Sequence, residues 1–187
     1  MNILIVVGSA RIQGNTDKLA EAFGKGAMEN GYQITPIHLG KTRINPCLGC
    51  NACRKGSGCV QKDGFQEFAS AFLASDVVVF ATPLYFWGMS AQLKAVIDRL
   101  YSLGKADPKG YYRYPVKKSV LLVTAADTEK HFWVFESVEQ YYRRLVRYLR
   151  WTDLGVLMAG NCGGTKSDRC IGETGYLEQA YEFGRHL

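Results

Sequence analysis

Four of the six cysteines lie close together in the sequence with the spacing C-x2-C-x2-C-x5-C, as Cys47, Cys50, Cys53 and Cys59. Three thiolates at successive x2 spacing, with a fourth nearby, are typical of a segment that wraps a [4Fe–4S] cluster, since each iron needs one sulfur ligand. Glycines between the cysteines would let the backbone fold around such a cluster. Two other interpretations stay open: a structural zinc site, which more usually combines two separated cysteine pairs, and a redox-active dithiol or vestigial loop. The spacing favours the cluster.

A second segment that could do chemistry is the loop over residues 8–16, which is rich in hydrogen-bond donors. It carries the hydroxyls of Ser9 and Thr16, the amide of Asn15 and the guanidinium of Arg11. Backbone N–H groups at a helix start add to this set, and together they suit a terminal phosphate. The loop has neither the Walker lysine nor the glycine spacing of a dinucleotide site. It therefore predicts a phosphate site, the alternative being an ordinary turn with Asn15 as the helix N-cap.

A third segment, residues 82–90, places three consecutive aromatic side chains, Tyr85, Phe86 and Trp87, where a loop is expected. Exposed aromatics need a partner, either a flat ring or a neighbouring subunit. Pro83 would stiffen the entry to this loop, and Gly88 would permit a backbone geometry that other residues resist. The segment predicts a site for a planar ligand, and a subunit contact is compatible with it.

The elements that position these segments alternate between short apolar runs and amphipathic helical spacings. The runs that predict strands cover residues 3–7, 33–39, 77–81, 120–124 and 152–158. The spacings that predict helices cover residues 19–26, 65–73, 93–100, 138–149 and 177–181. This alternation predicts an α/β fold, a doubly wound five-stranded parallel sheet of order 2-1-3-4-5 with helices on both faces. Because ligands of such sheets bind beyond the carboxyl ends of the strands, the loops after strands 1, 3 and 4 should form the site.

Length and composition predict one soluble domain over residues 1–187. The chain is 47% hydrophobic and 21% charged, which is typical of a globular protein. It has no apolar run near the roughly 20 residues that span a bilayer and no leader-like start, so we expect a cytoplasmic protein with no membrane contact. The net charge of +6 suits phosphorylated ligands, and the basic fourth helix is interpreted as a solvated face or a subunit interface, not a nucleic-acid site. The domain carries a cysteine-rich loop at 45–62 and a basic aromatic insertion at 104–118.

The two ligand loops resemble those of a known family. The pattern Gly8-Ser9-x-Arg11-x-x-Gly14-Asn15-Thr16 and the run from Thr82 to Lys94 are similar to the FMN loops of the flavodoxin-like NAD(P)H-dependent FMN reductases. The resemblance implies that the FMN phosphate is held by Ser9, Arg11, Gly14, Asn15 and Thr16. It implies that the flavin ring is lined by Pro83, Leu84, Tyr85, Phe86, Trp87 and Gly88. It implies a third cofactor loop formed by Thr124, Ala125, Ala126 and Asp127.

The cysteine motif narrows the resemblance to the iron–sulfur flavoproteins, whose compact motif follows the second strand. It implies that Cys47, Cys50, Cys53 and Cys59 ligate a [4Fe–4S] cluster. Relatives often carry paired acids soon after the last cysteine, whereas this chain has Gln61-Lys62-Asp63-Gly64.

The function implied is that of an FMN-dependent oxidoreductase. Its electrons would come from NAD(P)H or a ferredoxin-like protein and pass through the flavin, coupled to the cluster, to a quinone or another small acceptor. A homodimer or homotetramer is expected. The alternatives are a non-enzymatic flavodoxin-like electron carrier or redox sensor, and a zinc-stabilised interaction module.

Overall fold

The computed structural model describes residues 1–56, 58–106, 112–127, 133–162 and 171–187. The strands and α-helices are, in chain order, β1 (Asn2–Val7), α1 (Asn15–Glu29), β2 (Gln33–His38), α2 (Phe65–Ala74), β3 (Val77–Tyr85), β4 (Gly88–Met89), α3 (Ala91–Arg99), β5 (Lys105–Ala106), β6 (Tyr112–Arg113), β7 (Lys118–Thr124), α4 (Trp133–Leu149), β8 (Thr152–Ala159) and α5 (Tyr176–Arg185). Short 3-10 helices cover Ala52–Lys55 and Leu100–Leu103.

The central sheet has the order β2-β1-β3-β7-β8, and every neighbouring pair in this path is parallel. These are the five long strands in the order second, first, third, fourth, fifth. The prediction of a flavodoxin-like doubly wound α/β fold is therefore confirmed.

The sheet is covered on both faces because its strands are apolar on both sides. Along β1, Leu4 and Val6 pack into one core with α2, α3 and α4. Ile3, Ile5 and Val7 point to the other face and pack into a second core with α1 and α5. Alternating side chains of one strand thus anchor helices on opposite faces, as a buried parallel strand requires.

The two helices of the second core cross at a pair of glycines. A Cβ atom built on Gly26 would lie 1.9 Å from the carbonyl oxygen of Tyr181, and one built on Gly184 would lie 2.0 Å from that of Phe23. The backbones of α1 and α5 therefore approach so closely that no larger residue fits at either position.

The segment predicted as a loop over 82–90 differs from expectation. β3 continues to Tyr85 and pairs antiparallel with β4, so that Phe86 and Trp87 form a two-residue hairpin turn. Both turn residues have positive φ, 45° and 60°. The unusual backbone geometry expected at Gly88 falls on these two aromatics instead, and a Cβ atom on Gly88 would meet nothing closer than 3.7 Å. The strand continues because Thr82 and Pro83 still pair with β7, which also runs to Thr124.

The insertion predicted at 104–118 contains a small antiparallel hairpin, in which Lys105 pairs with Arg113 and Ala106 with Tyr112. Residues 107–111, which include Tyr111, lie outside the described residues, and Lys118 already belongs to β7. Along the described ranges, no helix is long and apolar enough to cross a membrane.

Candidate functional site at the carboxyl edge of the sheet

The loop between β1 and α1 presents the N-terminus of a 15-residue helix at the carboxyl edge of the sheet. Its N-cap is Gly14, not Asn15 as the ordinary-turn alternative required, and no side chain among the described residues caps the helix start. By contrast, Ser90 caps α3, since its hydroxyl accepts a hydrogen bond from the backbone N–H of Leu93. Within the described part of the chain, the first N–H groups of α1 therefore receive no side-chain cap, which is the arrangement that anion sites use.

The polar side chains of this loop hold it to the neighbouring segments. The Ser9 hydroxyl accepts a hydrogen bond of 3.0 Å from the backbone N–H of Arg11. The buried hydroxyls of Thr16 and Thr124 lie 2.7 Å apart, and Nδ2 of Asn15 donates to the carbonyl of Cys162 at 3.0 Å. Ser9, Asn15 and Thr16 are buried, whereas Arg11 is exposed. The structure thus brings all these positions into one loop, with Arg11 as its exposed cation.

The aromatic hairpin lies beside this loop. The backbone N–H of Gly8 donates to the carbonyl of Ala81 at 2.7 Å, and the Ser90 hydroxyl donates to the Gly8 carbonyl at 2.6 Å. A Cβ atom on Gly8 would lie 2.9 Å from Cβ of Leu93, so only glycine allows the two segments to approach this closely.

An open cleft of ≈ 270 Å³ runs between the hairpin and the segment after β7. Its lining consists of Leu84, Phe86, Trp87, Ala125, Ala126, Asp127, Trp133 and Val134. The rings of Trp87 and Trp133 lie 5.8 Å apart, while Phe86 is 96% exposed at the tip of the turn. The structure therefore joins the predicted ring loop and the predicted third loop in one aromatic cleft. Pro83, Tyr85 and Gly88 belong to the same hairpin but do not line it.

The third loop is held in place by the chain that follows β8. The backbone N–H of Ala125 donates to the carbonyl of Ala159, and the N–H groups of Asn161 and Cys162 donate to the carbonyls of Asp127 and Ala125, all at 2.7 to 2.9 Å. Cys162 is buried and its thiol donates a hydrogen bond to the carbonyl of Gly160 at 3.3 Å, and Cys170 lies outside the described residues.

All four cysteines of the cysteine loop line one small cavity of ≈ 70 Å³. They are free thiols, with Cys47 and Cys50 exposed and Cys53 and Cys59 partly buried. The three interspersed glycines have positive φ, as expected for a loop that bends tightly. Within the described part of the chain, however, no group of three or more His, Cys, Asp or Glu side chains has an arrangement that could hold a metal ion. The four thiols therefore line one cavity without forming a metal site among the described residues.

A buried arginine that the sequence analysis did not single out lies beneath this loop. Arg99 is 1% exposed, and its Nη1 donates to both carboxylate oxygens of Asp63 at 2.7 and 2.9 Å. Its Nη2 lies 3.3 Å from the Cys59 sulfur. Burial alone would raise the pKa of Asp63, but hydrogen bonds from Arg99 and from the backbone N–H groups of Asn45 and Phe65 lower that pKa below its usual value. Asp63 is thus an ionised partner for Arg99.

A second arginine fastens the loop to the insertion. The Arg54 guanidinium lies between the rings of Tyr101 and Tyr112, 3.3 and 3.4 Å from their centroids, and its Nη1 donates to the carbonyl of Gly104. Arginine stacks readily on aromatic faces because its guanidinium is planar and weakly hydrated. The insertion therefore packs on the cysteine loop through Tyr112.

The sequence analysis did not identify Arg99 or Trp133 as residues of the site. Only Arg99 has a position in the sequence pattern that could have indicated its burial. Arg99 follows the buried Val96 by three residues, so it shares the apolar face of α3, where a charge requires a buried partner. Trp133 stands at the start of α4, five residues before the predicted beginning of that helix. Nothing in its spacing relates it to Trp87.

The strand order defines a flavodoxin-like α/β protein, and the uncapped helix start and the adjoining aromatic cleft form a candidate ligand site at its switch point. The chain belongs to the NADPH-dependent FMN reductase family, whose sequence model matches residues 1–149. The family predicted from the two loops is confirmed, and the enzyme class predicted from the sequence is the class of this family.

Individual relatives agree with this assignment. An iron–sulfur flavoprotein from Archaeoglobus fulgidus is 34% identical over 113 residues, which cover 60% of this chain and 51% of that protein. A Bacillus subtilis protein provisionally named NAD(P)H-dependent FMN-containing oxidoreductase YwqN is 32% identical over 137 residues, 70% of each chain. The NAD(P)H:quinone oxidoreductase from Methanothermobacter marburgensis shares the fold, with a TM-score of 0.76 at 20% identity over 100% of this chain and 98% of that one. This chain spans about half the length of the iron–sulfur flavoproteins it matches.

Proposed function

We propose that this protein is an FMN-dependent oxidoreductase that takes electrons from NAD(P)H. The observation that carries the proposal is the pairing, at one edge of the sheet, of an uncapped helix N-terminus with an aromatic cleft. The first suits a phosphate and the second a flat ring, which are the two ends of FMN. Membership of the NADPH-dependent FMN reductase family supports the same ligand.

The phosphate end is assigned to Ser9, Arg11, Gly14, Asn15 and Thr16. Backbone N–H groups at the start of α1 would donate to the phosphate oxygens, and the exposed Arg11 would add a charge-assisted hydrogen bond. Ser9 and Thr16 already bind neighbouring protein atoms, so their part is to hold the loop in shape.

The ring end is assigned to Pro83, Leu84, Tyr85, Phe86, Trp87 and Gly88, with Thr124, Ala125, Ala126 and Asp127 opposite. Trp87, supported by Trp133, would lie against the ring and exclude water from it. The small side chains of Ala125 and Ala126 would let the backbone approach the other wall. When bound, FMN supplies the redox chemistry, accepting a hydride and passing electrons on singly or in pairs. No side-chain acid or base is assigned.

The four thiols suit a [4Fe–4S] cluster in number and in placement around one cavity. We propose that Cys47, Cys50, Cys53 and Cys59 ligate it once iron and sulfide are present. The name of the Archaeoglobus fulgidus relative supports this assignment. The loop after β2 emerges at the same edge of the sheet as the proposed FMN loops, so the proposed cluster and the flavin would lie on one side of the molecule.

For the acceptor we propose a quinone or another small molecule, with a ferredoxin-like protein as an alternative donor. The exposed Phe86 and Tyr85 also suit contact with a second subunit, and we expect a homodimer or homotetramer. The whole chain acts as one domain in this proposal.

The test is anaerobic purification after expression with iron and riboflavin, followed by visible and EPR spectra and by steady-state oxidation of NADH and NADPH with a quinone. We expect flavin absorption bands, an EPR signal after reduction and turnover of one nicotinamide. A colourless protein that takes up no added FMN would contradict the proposal.

A non-enzymatic electron carrier is the second candidate, because the aromatic hairpin would also suit a protein whose aromatics lie flush against the flavin. Turnover of nicotinamide separates the two, because a passive carrier would oxidise neither NADH nor NADPH.

A further inference from the structure

Arg99 bridges the end of the cysteine loop to a fixed negative charge. On one side its Nη1 pairs with Asp63 and donates to the carbonyl of Asn45 at 3.2 Å. On the other side its Nη2 donates to the Cys59 sulfur at 3.3 Å and to the carbonyl of Gln61 at 3.5 Å. The two halves of one planar guanidinium therefore serve two tasks, which the single nitrogen of lysine cannot do at once.

The contact between Arg99 and the Cys59 sulfur is buried. The Arg99 side chain is fully buried, its partner Asp63 is 8% exposed, and the guanidinium lies 4.3 Å over the ring of Phe65. A charge enclosed in this way is screened little by water, so it acts strongly on a neighbouring sulfur. Hydrogen bonds to the sulfurs and nearby charge are two of the means by which a protein sets the potential of an iron–sulfur cluster.

We propose that Arg99 is a positioning residue of the cysteine loop that holds the Cys59 sulfur and raises the reduction potential of the bound cluster, while Asp63 limits this effect by neutralising part of the charge. The inference rests on the proposed cluster. Reduction adds one electron to a cluster that is already negative, and a buried cation beside one of its sulfurs stabilises the reduced form more than the oxidised form. The ionised Asp63 behind the cation acts in the opposite sense.

The test is an EPR-monitored redox titration of the full chain, with iron content measured for every variant. Arg99→Gln removes the cation and leaves the Asp63 carboxylate. The equilibrium constant for reduction of the cluster should therefore fall about tenfold, which lowers its reduction potential by about 59 mV for a one-electron step. Arg99→Lys keeps the charge but loses the two-sided contact, and its potential should fall less.

Asp63→Asn should shift the potential in the opposite direction, upward, because the charge of Arg99 is then uncompensated. Arg143→Lys is the matched control, since Arg143 also pairs with acids, Glu139 and Asp153, but at the exposed surface of α4. Its potential should equal that of the wild type. A role limited to supporting the fold would change iron retention without shifting the potential in opposite directions.

Opposite shifts of Arg99→Gln and Asp63→Asn support the inference. If Arg99→Gln does not fold, Arg99→Lys takes its place: the reduction potential must then fall in Arg99→Lys and rise in Asp63→Asn. The inference would be overturned if the variants retain iron but have the same reduction potential as the wild type, or if both potentials shift in the same direction. Either result would leave the cluster proposal intact. A wild-type chain that takes up no iron would overturn the cluster proposal and this inference together.

Discussion

Two of the hydroxyls in the loop after β1 are already hydrogen-bonded within the protein. Ser9 and Thr16 look like phosphate donors in the sequence, yet their hydroxyls bind Arg11 and Thr124 within the protein. The backbone N–H groups at the start of α1 and the exposed side chain of Arg11 are therefore the groups that we propose to contact an anion. Arg99, a cation on the apolar face of α3, is buried against Asp63.

The Asp63–Arg99 pair makes the stability of the fold depend on pH. Since the pKa of Asp63 is lowered in the folded state, the pair stabilises the protein fully above the usual carboxyl pKa of about 3.9, and this stabilisation is lost as the pH falls towards the folded pKa. Asp63→Asn should lower the free energy of unfolding at pH 7 by about 2 kcal/mol, because one charge-assisted hydrogen-bond acceptor is lost. Urea unfolding at several pH values measures both effects.

The difference between wild type and Asp63→Asn should shrink as the pH is lowered below about 4. Glu182→Gln, which breaks an exposed pair with Arg185, is the control and should change stability little at any pH. A difference that is constant with pH would refute the ionised state assigned to Asp63.

Among the elements, the β3–β4 hairpin carries stored strain. Two-residue turns with positive φ at both positions favour Asn-Gly, whereas this turn holds Phe86 and Trp87. Each bulky residue in this conformation costs about 1–2 kcal/mol. Such strain is common at ligand sites, and here it presents two aromatic rings at the mouth of the cleft.

Phe86→Asn should therefore stabilise the fold by about 1 kcal/mol, since Phe86 is 96% exposed and loses little packing. Val116→Asn is the control, because Val116 is also exposed, at 77%, but does not have positive φ. Thermal and urea unfolding of both variants provide the measurement. Equal effects of the two substitutions would show that the turn is not strained.

The crossing of α1 and α5 gives a second prediction at this scale. Gly26→Ala should destabilise the fold by about 3 kcal/mol, at the upper end for overpacking, because its Cβ atom would meet the backbone carbonyl of Tyr181. Gly172→Ala is the control, since nothing lies within 4 Å of its Cβ position. Similar unfolding midpoints for the two variants would contradict the close crossing.

For the whole molecule, the sequence predicted the sheet order and the positions of the loops, because buried parallel strands require near-continuous apolar runs such as residues 3–7 and 77–81. It could not predict the hairpin, since the φ values of Phe86 and Trp87 are set by strand pairing and not by composition. It also could not predict the partner of Arg99, because Asp63 lies 36 positions away in the chain. The joining of Trp87 and Trp133 depends in the same way on tertiary packing.

The central claim is that the edge of the sheet binds FMN, with the loop after β1 on its phosphate and the hairpin on its ring. Fluorescence titration of the apo protein with FMN and with riboflavin, which lacks the phosphate, tests this claim most directly. We expect one FMN to bind per chain, and riboflavin to bind at least ~10-fold more weakly than FMN. Arg11→Ala should reduce this ratio of affinities, whereas Arg144→Ala, a control at another exposed arginine, should leave the ratio unchanged. Equal affinity for FMN and riboflavin, or no binding of either, would contradict the account.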